Sequence, residues 1–197
     1  MKDFQKIQKH VLNKLQQNLP AYLTYHNISH TSDVLRQSIV IAEEEAITSP
    51  HDLFLLKVSA LYHDTGFIHS YGNHEEKSCE LAREELPGFG FSEKDIDTVC
   101  GMIMATKIPQ NPKTVLEQVI CDADLDYLGR PDFYTIGAGL YKEFLHQGIV
   151  KDELSWNQLQ VRFLENHQYF TKTCKAKREK VKQQHLEDVK EKVSLVS

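Results

Sequence analysis

The stretch Ala60-Leu61-Tyr62-His63-Asp64-Thr65-Gly66 decides how this chain folds. It closes the run Leu53-Phe54-Leu55-Leu56-Lys57-Val58-Ser59-Ala60-Leu61, which has almost no polar face. A helix apolar all round belongs inside a domain rather than on its surface. Ser49 supplies its N-cap, Pro50 its first position and Asp52 an acid in its first turn. This helix delivers His63 and Asp64 to the interior, and Gly66 lets the chain turn just after them. An ionised aspartate buried alone is very costly. Something positive must compensate it, and a metal cation does so well.

The segments on either side also read as helix. Residues Asp3 to Leu19 place Phe4, Ile7, Val11, Leu12 and Leu15 at helical spacing, and Pro20 ends that run. A short irregular stretch, Tyr22 to Asn27, precedes a second helix that starts near Ser29 or His30, with Val34, Leu35, Ile39 and Ala42 as its buried stripe. Past the central helix comes a loop rich in glycine and aromatics. There Asn73-His74-Glu75-Glu76 reads as a cap with a reaching carboxylate, opening a helix to Leu86 that Pro87-Gly88 stops. Ser92-Glu93-Lys94-Asp95 opens the next helix, which ends before Pro109. Thr114 with Glu117 reads as a capping box, and that helix leads into Cys121-Asp122-Ala123-Asp124-Leu125-Asp126. Gly129-Arg130-Pro131 breaks it. A further helix spans Phe133 to Leu145. The last third, Ser155 to about Val193, reads as one long or two abutting helices, with Lys and Glu interleaved along a charged tail.

No stretch carries a strand pattern, an internal repeat or a low-complexity linker. The expectation is a single all-α domain over 1–197, with a core at about 20–150 and C-terminal helices from 151 packed on it. The 197 residues suffice for one sizeable core. A hydrophobic content of 41 % and a charged content of 26 % are ordinary for a soluble protein. The formal net charge of -5 argues against a nucleic-acid surface. No apolar run is long enough for a membrane span, and the N-terminus lacks a signal-peptide core. Cys79, Cys100, Cys121 and Cys174 are widely separated, with no CxxC pair, and read as reduced thiols in a cytoplasmic protein. Phe170, Cys174, Val181 and Val189 offer a contact for a homodimer, although their heptad is not clean. Ten histidines are the one unusual entry in the composition.

Those histidines give the HD pair its partners. His30 lies in the first turn of the second helix, His63 and Asp64 end the third, and Asp124 lies where another apolar helix ends. Each comes from a different helix, and bundle cores build metal sites between helices in this way. Two imidazoles and two carboxylates suit hard or borderline divalent ions, with the identity open among Mn, Mg, Fe, Ni and Zn, and exclude a soft thiolate site. Asp64 can bridge two cations, and such a pair activates water for in-line attack on phosphorus.

The order His30, His63-Asp64, Asp124 resembles that of the HD superfamily of metal-dependent phosphohydrolases. The run Tyr25-His26-Asn27-Ile28-Ser29-His30-Thr31-Ser32-Asp33-Val34 is similar to the YHNxxHxxDV signature of the cyclic-nucleotide phosphodiesterases, which belong to the same superfamily. The resemblance covers roughly residues 20 to 130. It implies a compact helical HD-type bundle and metal ligation by His30, His63, Asp64 and Asp124. It favours Asp124 over Asp122 or Asp126, which are left to cap or pair nearby. It assigns His26 to protonating the leaving alkoxide, a task suited to imidazole at neutral pH. His74 matches the histidine that some relatives use for a second metal. The segment Met104-Ala105-Thr106-Lys107 lacks a further histidine, so a second ion would have fewer protein ligands and more water. Lys107 could meet phosphate as a point charge. Arg130 could do the same, but pairing with a nearby Asp is the simpler reading. No glutamine that would build a purine pocket can be placed.

The expected activity is hydrolysis of a phosphate ester of a nucleotide or similar small molecule, with a phosphodiester favoured because an alkoxide leaving group needs His26. The alternative is a non-catalytic regulator that binds metal and nucleotide and signals through the charged C-terminal helix. Metal-assisted chemistry on a non-phosphate substrate, such as oxygenation, uses the same residue types and is a third reading.

Overall fold

The structure is a computed structural model that describes residues 3–195. Ten α-helices and three short 3₁₀ helices make up its described residues, with no strand among them. At the centre is α3 (Pro50–Tyr62), the apolar run read from the sequence. Leu56, Val58, Ala60 and Leu61 have no solvent exposure at all. Burying a leucine side chain this completely contributes about 1.5–3 kcal/mol. Around α3 pack α1 (Phe4–Asn18), α2 (Ile28–Glu44), α4 (His74–Glu85), α5 (Glu93–Ala105) and α6 (Val115–Asp124). A second apolar cluster joins α7 (Phe133–His146), α8 (Glu153–Asn166) and α10 (Glu179–Ser194) through Phe133, Leu164, Leu186 and Val189.

The caps explain where the helices begin. Ser49 Oγ accepts the Asp52 N–H at 3.3 Å. Reciprocal capping boxes form at Ser92 with Asp95 and at Thr114 with Glu117. α2 starts at Ile28, just before the Ser29 or His30 start read from sequence, because Asn27 Oδ1 accepts the N–H groups of Ser29 and His30. α1 ends at Asn18, since Leu19 is extended ahead of Pro20. Two expectations are corrected. Asn73 makes no side-chain cap bond, and Glu76, the carboxylate expected to reach back, is instead paired with Lys107. α4 ends at Glu85, and a 3₁₀ turn, Leu86–Phe89, carries Pro87.

The C-terminal third is three helices rather than one or two: α8, α9 (Lys172–Lys177) and α10. The break before α9 has a clear cause. Buried Asp122 accepts the N–H groups of Phe170 and Thr171, both at 2.8 Å, and the Thr171 hydroxyl at 2.6 Å. Those bonds replace helical ones, and Thr171 then caps α9. Two of the four residues read as a dimer contact, Cys174 and Val189, turn inward. Cys174 is 2 % exposed and Val189 fully buried, so both are spent on the protomer's own core.

His167, in the same break, supports a pH prediction. Burial, and secondly the Lys182 ammonium, push its pKa down to about 4. The Lys182 Nζ donates to the His167 carbonyl at 2.7 Å and pairs with Glu179 at 3.0 Å. A depressed histidine pKa means that the unfolded chain takes up the proton first. Its contribution to stability is therefore full above pH 6.5 and lost as pH falls towards 4. The difference in unfolding free energy between wild type and His167→Gln should shift by up to about 3 kcal/mol across that window. Urea titrations at both ends of the window measure it, and a constant difference would contradict it.

Candidate metal centre

Four side chains converge where α2, α3 and α6 meet. His30 stands in the first turn of α2, His63 caps the C-terminus of α3, Asp64 follows, and Asp124 is the last residue of α6. His30 Nε2, His63 Nε2 and one Asp124 carboxylate oxygen all lie within 4.8 Å of one another. The two Nε2 atoms are 3.2 Å apart. Asp124 Oδ1 is 3.1 Å from His30 Nε2 and 3.6 Å from His63 Nε2. Asp64 Oδ2 lies 3.2 Å from each imidazole nitrogen.

These spacings test whether a cation fits. Metal bonds of about 2.0–2.2 Å to nitrogen and oxygen place neighbouring donors about 3 Å or slightly more apart. His63 Nδ1 faces the Ala60 carbonyl at 2.9 Å, so it carries the proton and leaves Nε2 as a lone pair. Asp64 Oδ2 is buried with no hydrogen-bond partner in acceptable geometry. The donor set and its orphaned oxygen fit a divalent ion. The electrostatics agree. Burial works against the His30 charge, but hydrogen bonds to Asp124 and Asp64 outweigh it and raise its pKa to about 9. Burial likewise opposes the Asp124 charge, and the two imidazoles still hold that carboxyl at about 2. Buried Asp64 and half-buried Asp124 make this a place that draws positive charge, and a metal here would displace protons from the imidazoles.

Asp64 has a second face. Its Oδ1 lies 3.7 Å from His74 Nε2, and Glu75 Oε1 lies 3.3 Å from that same nitrogen. His74 Nδ1 faces the Tyr71 carbonyl at 3.1 Å, which again leaves Nε2 free. His74 thus stands beside the four ligands at the start of α4, with Glu75 next to it.

Gly66 sets that distance. A Cβ on Gly66 would lie 1.9 Å from the His74 carbonyl oxygen. The Gly66 N–H donates to Ser78 Oγ, which donates to the His63 carbonyl, locking the HD turn to α4. Gly66→Ala should push α4 off the 3₁₀ turn Thr65–Ile68 and destabilise the protein by about 3 kcal/mol. Chemical denaturation tests this, and an unchanged midpoint would contradict it.

His26 lies outside α2, one residue before the Asn27 cap. Phe67 stacks on both His26, at 4.2 Å, and His74, at 3.9 Å. Sequence reasoning missed the group that holds His26. Glu143, fully buried on α7, accepts from His26 Nδ1 and from the N–H groups of Tyr25 and His26 at 3.0 and 3.2 Å. The Tyr71 hydroxyl also donates to it at 2.9 Å. Burial raises the Glu143 pKa, but these bonds overcome that and leave it lowered. A glutamate beside Lys142 in the mostly apolar stretch from Phe133 to Leu145 was the only signal in the sequence. Buried Glu75 was missed too.

Other expected residues lie elsewhere. Lys107 pairs with Glu76 near the surface and does not line the cavity beside the ligands. Arg130 is held by Asp132 and Asp33, each at 2.7 Å, and by Asp126. Asp126 also binds Arg178, and Asp122 holds the α9 junction, so neither is available to a metal. That cavity, about 190 Å³, opens beside His26, Asp64, His74, Glu75 and Asp124.

Fold and site define an all-α protein with a His/Asp cluster between its helices that could hold a metal. The HD domain family model matches residues 27–126, and the chain belongs to that family. No curated protein matches it. In fold it is similar to a crystal structure described as a predicted HD superfamily hydrolase from an uncultured Thermotogales bacterium. The TM-score is 0.62 and the identity 21 %, over 96 % of this chain and 92 % of that one. Among the described residues, no helix is long and apolar enough to cross a membrane.

Proposed function

We propose that this protein is a divalent-metal-dependent phosphohydrolase acting on a small phosphate ester, with phosphodiesters favoured. One observation carries the reading. Four lone-pair donors converge beside a histidine whose Nδ1 is fixed by a buried glutamate, and that histidine, Asp64 and Asp124 border one cavity. His30, His63, Asp64 and Asp124 would hold the ion, and Asp64 Oδ1 with His74 would serve a second. A bound divalent ion supplies Lewis-acid polarisation of the phosphoryl oxygens and a water acidic enough to attack.

The protein's own groups do the rest. Asp64 presents one oxygen to the imidazole pair and the other to His74, so it stays between the two positions. Glu143 takes the His26 Nδ1 proton as a hydrogen bond and fixes the ring. The other ring nitrogen, Nε2, is then free to hand a proton to the leaving oxygen as the ester P–O bond breaks and the bond from water to phosphorus forms. A module that only binds needs no such histidine–glutamate pair.

The test is an assay with Mn, Mg, Co and Ni against bis-p-nitrophenyl phosphate, p-nitrophenyl phosphate, cyclic nucleotides and dNTPs, with Asp64→Ala as control. Metal-dependent turnover of an ester, lost in the control, is the expected result. Bound metal without hydrolysis of any of them would overturn the proposal.

A further inference from the structure

The cavity beside the metal centre is polar at one end only. Its walls from α7 and α8 are Phe133, Leu140, Phe144, Trp156, Leu159, Gln160, Phe163 and Leu164, and Gln160 alone among these is polar. Leu125 and Leu128 extend the apolar lining from the α6 side. Trp156 is braced by Tyr141, stacked at 5.7 Å, and by Phe144, edge-on at 5.8 Å, so this wall is built rather than loose. Among the described residues, no lysine or arginine lines the cavity.

Two consequences follow. A di- or triphosphate would bring several negative charges to a place whose only cations are those at the metal centre, so the fitting ligand carries one phosphate. A nucleoside would bring polar base and ribose groups against a lining that, away from its charged end, offers only the Gln160 amide and the hydroxyls of Thr106, Tyr25 and Tyr127. Each remaining polar atom would be buried unpaired and cost affinity. A volume of about 190 Å³ is slightly larger than the roughly 150 Å³ of an engineered apolar cavity that takes benzene. It suits one substituted aromatic ring or a medium-length alkyl chain.

We infer that the physiological substrate is a singly phosphorylated ester whose organic group is apolar, aryl or alkyl, and lodges between α7 and α8. This rests on the phosphohydrolase reading and names the substrate class of the same site.

The test uses the full chain with Mn²⁺ and a series of 4-nitrophenyl phosphodiesters whose second ester group is methyl, butyl, octyl or a nucleoside. Full burial of each added methylene raises kcat/KM about fourfold, so butyl should exceed methyl by about sixtyfold, with the gain levelling off as the cavity fills. The nucleoside ester should fall well below butyl. In parallel, calorimetry with methyl-, butyl- and octylphosphonate on the Mn²⁺-loaded protein should show affinity rising along the same series. Leu140→Asn, checked for folding by circular dichroism, should flatten both series, whereas Gln160→Leu should leave them as steep or steeper. Turnover of the methyl ester with no chain-length gain, or a nucleoside ester preferred in a manner lost with Gln160→Leu, overturns the inference and leaves the hydrolase reading standing. No turnover of any ester overturns the hydrolase reading, and the phosphonate affinities then still decide whether the cavity takes an apolar group.

Discussion

Replacing Asp64 by asparagine is expected to cut phosphate-ester hydrolysis by at least about a thousandfold and to strip the protein of bound metal. The two halves of this result have the same physical origin. Asp64 is 6 % exposed, and its Oδ2 lies 3.2 Å from both imidazole nitrogens. It is the charge that draws a cation to the imidazole pair, whose protons a metal would displace. Asparagine keeps the shape and the backbone carbonyl that accepts the Phe67 N–H at 3.1 Å, but removes that charge. What it cannot do is complete the ligand set with His30 and His63. Wild-type protein in metal at a hundred times its Kd should gain about 2.7 kcal/mol of stability, and the variant almost none. Elemental analysis after gel filtration and thermal melts with and without Mn²⁺ measure both halves. A variant that keeps stoichiometric metal, or that Mn²⁺ stabilises as much as it does the wild type, would show that Asp64 is not a ligand.

The stretch around His63 could be read because three independent constraints agree there. An all-apolar helix must be central, a buried carboxylate must be compensated, and histidine and aspartate share the ligand chemistry of the same ions. The capping boxes at Ser92 and Thr114 were equally legible, since their hydrogen bonds join residues three positions apart. Residues whose partners are distant in sequence were not. Lys107 looked like a lone cation at a helix end, but Glu76 lies on a neighbouring helix and takes it. Asp122 and Asp124 are two positions apart on α6, about 200° around its axis, so one faces the α9 junction and the other the ligands. Which of them faced the ligands followed from resemblance, not from the helix itself.

The C-terminal helices show the same limit. Their charge pattern describes an outer face, and that face is solvated. Their inner face is set by pairs such as His185 Nδ1 with the Leu128 carbonyl at 2.9 Å and the His185 ring stacked on Phe133 at 4.4 Å. Val189 packs in that same cluster and so is unavailable to a second protomer. Gln160 was unplaceable for a related reason. Its neighbours in the cavity wall come from α7, and periodicity within α8 says nothing of what another helix brings.

The sharpest case of a distant partner is Glu143, more than a hundred residues from His26, and it carries the second large prediction. His26→Ala should lower turnover by about a hundredfold to ten-thousandfold for esters with an alkoxide leaving group, and leave metal content unchanged. The loss should be much smaller for 4-nitrophenyl esters, because nitrophenolate leaves without being protonated. Glu143→Gln should follow the same leaving-group pattern with a smaller loss. Glu143 Oε2 accepts two backbone N–H groups, and Oε1 accepts His26 Nδ1 and the Tyr71 hydroxyl. Glutamine can accept at only one end, so one pair of donors faces an amide NH₂ and the His26 ring loses its fixed orientation. Leaving those donors unsatisfied should also cost about 2–4 kcal/mol of stability. The leaving-group dependence separates the two effects, since a protein that is merely less stable slows every substrate alike. Equal losses on alkyl and nitrophenyl leaving groups, or loss of metal in His26→Ala, would remove His26 from the role of proton donor and return it to the wall of the site.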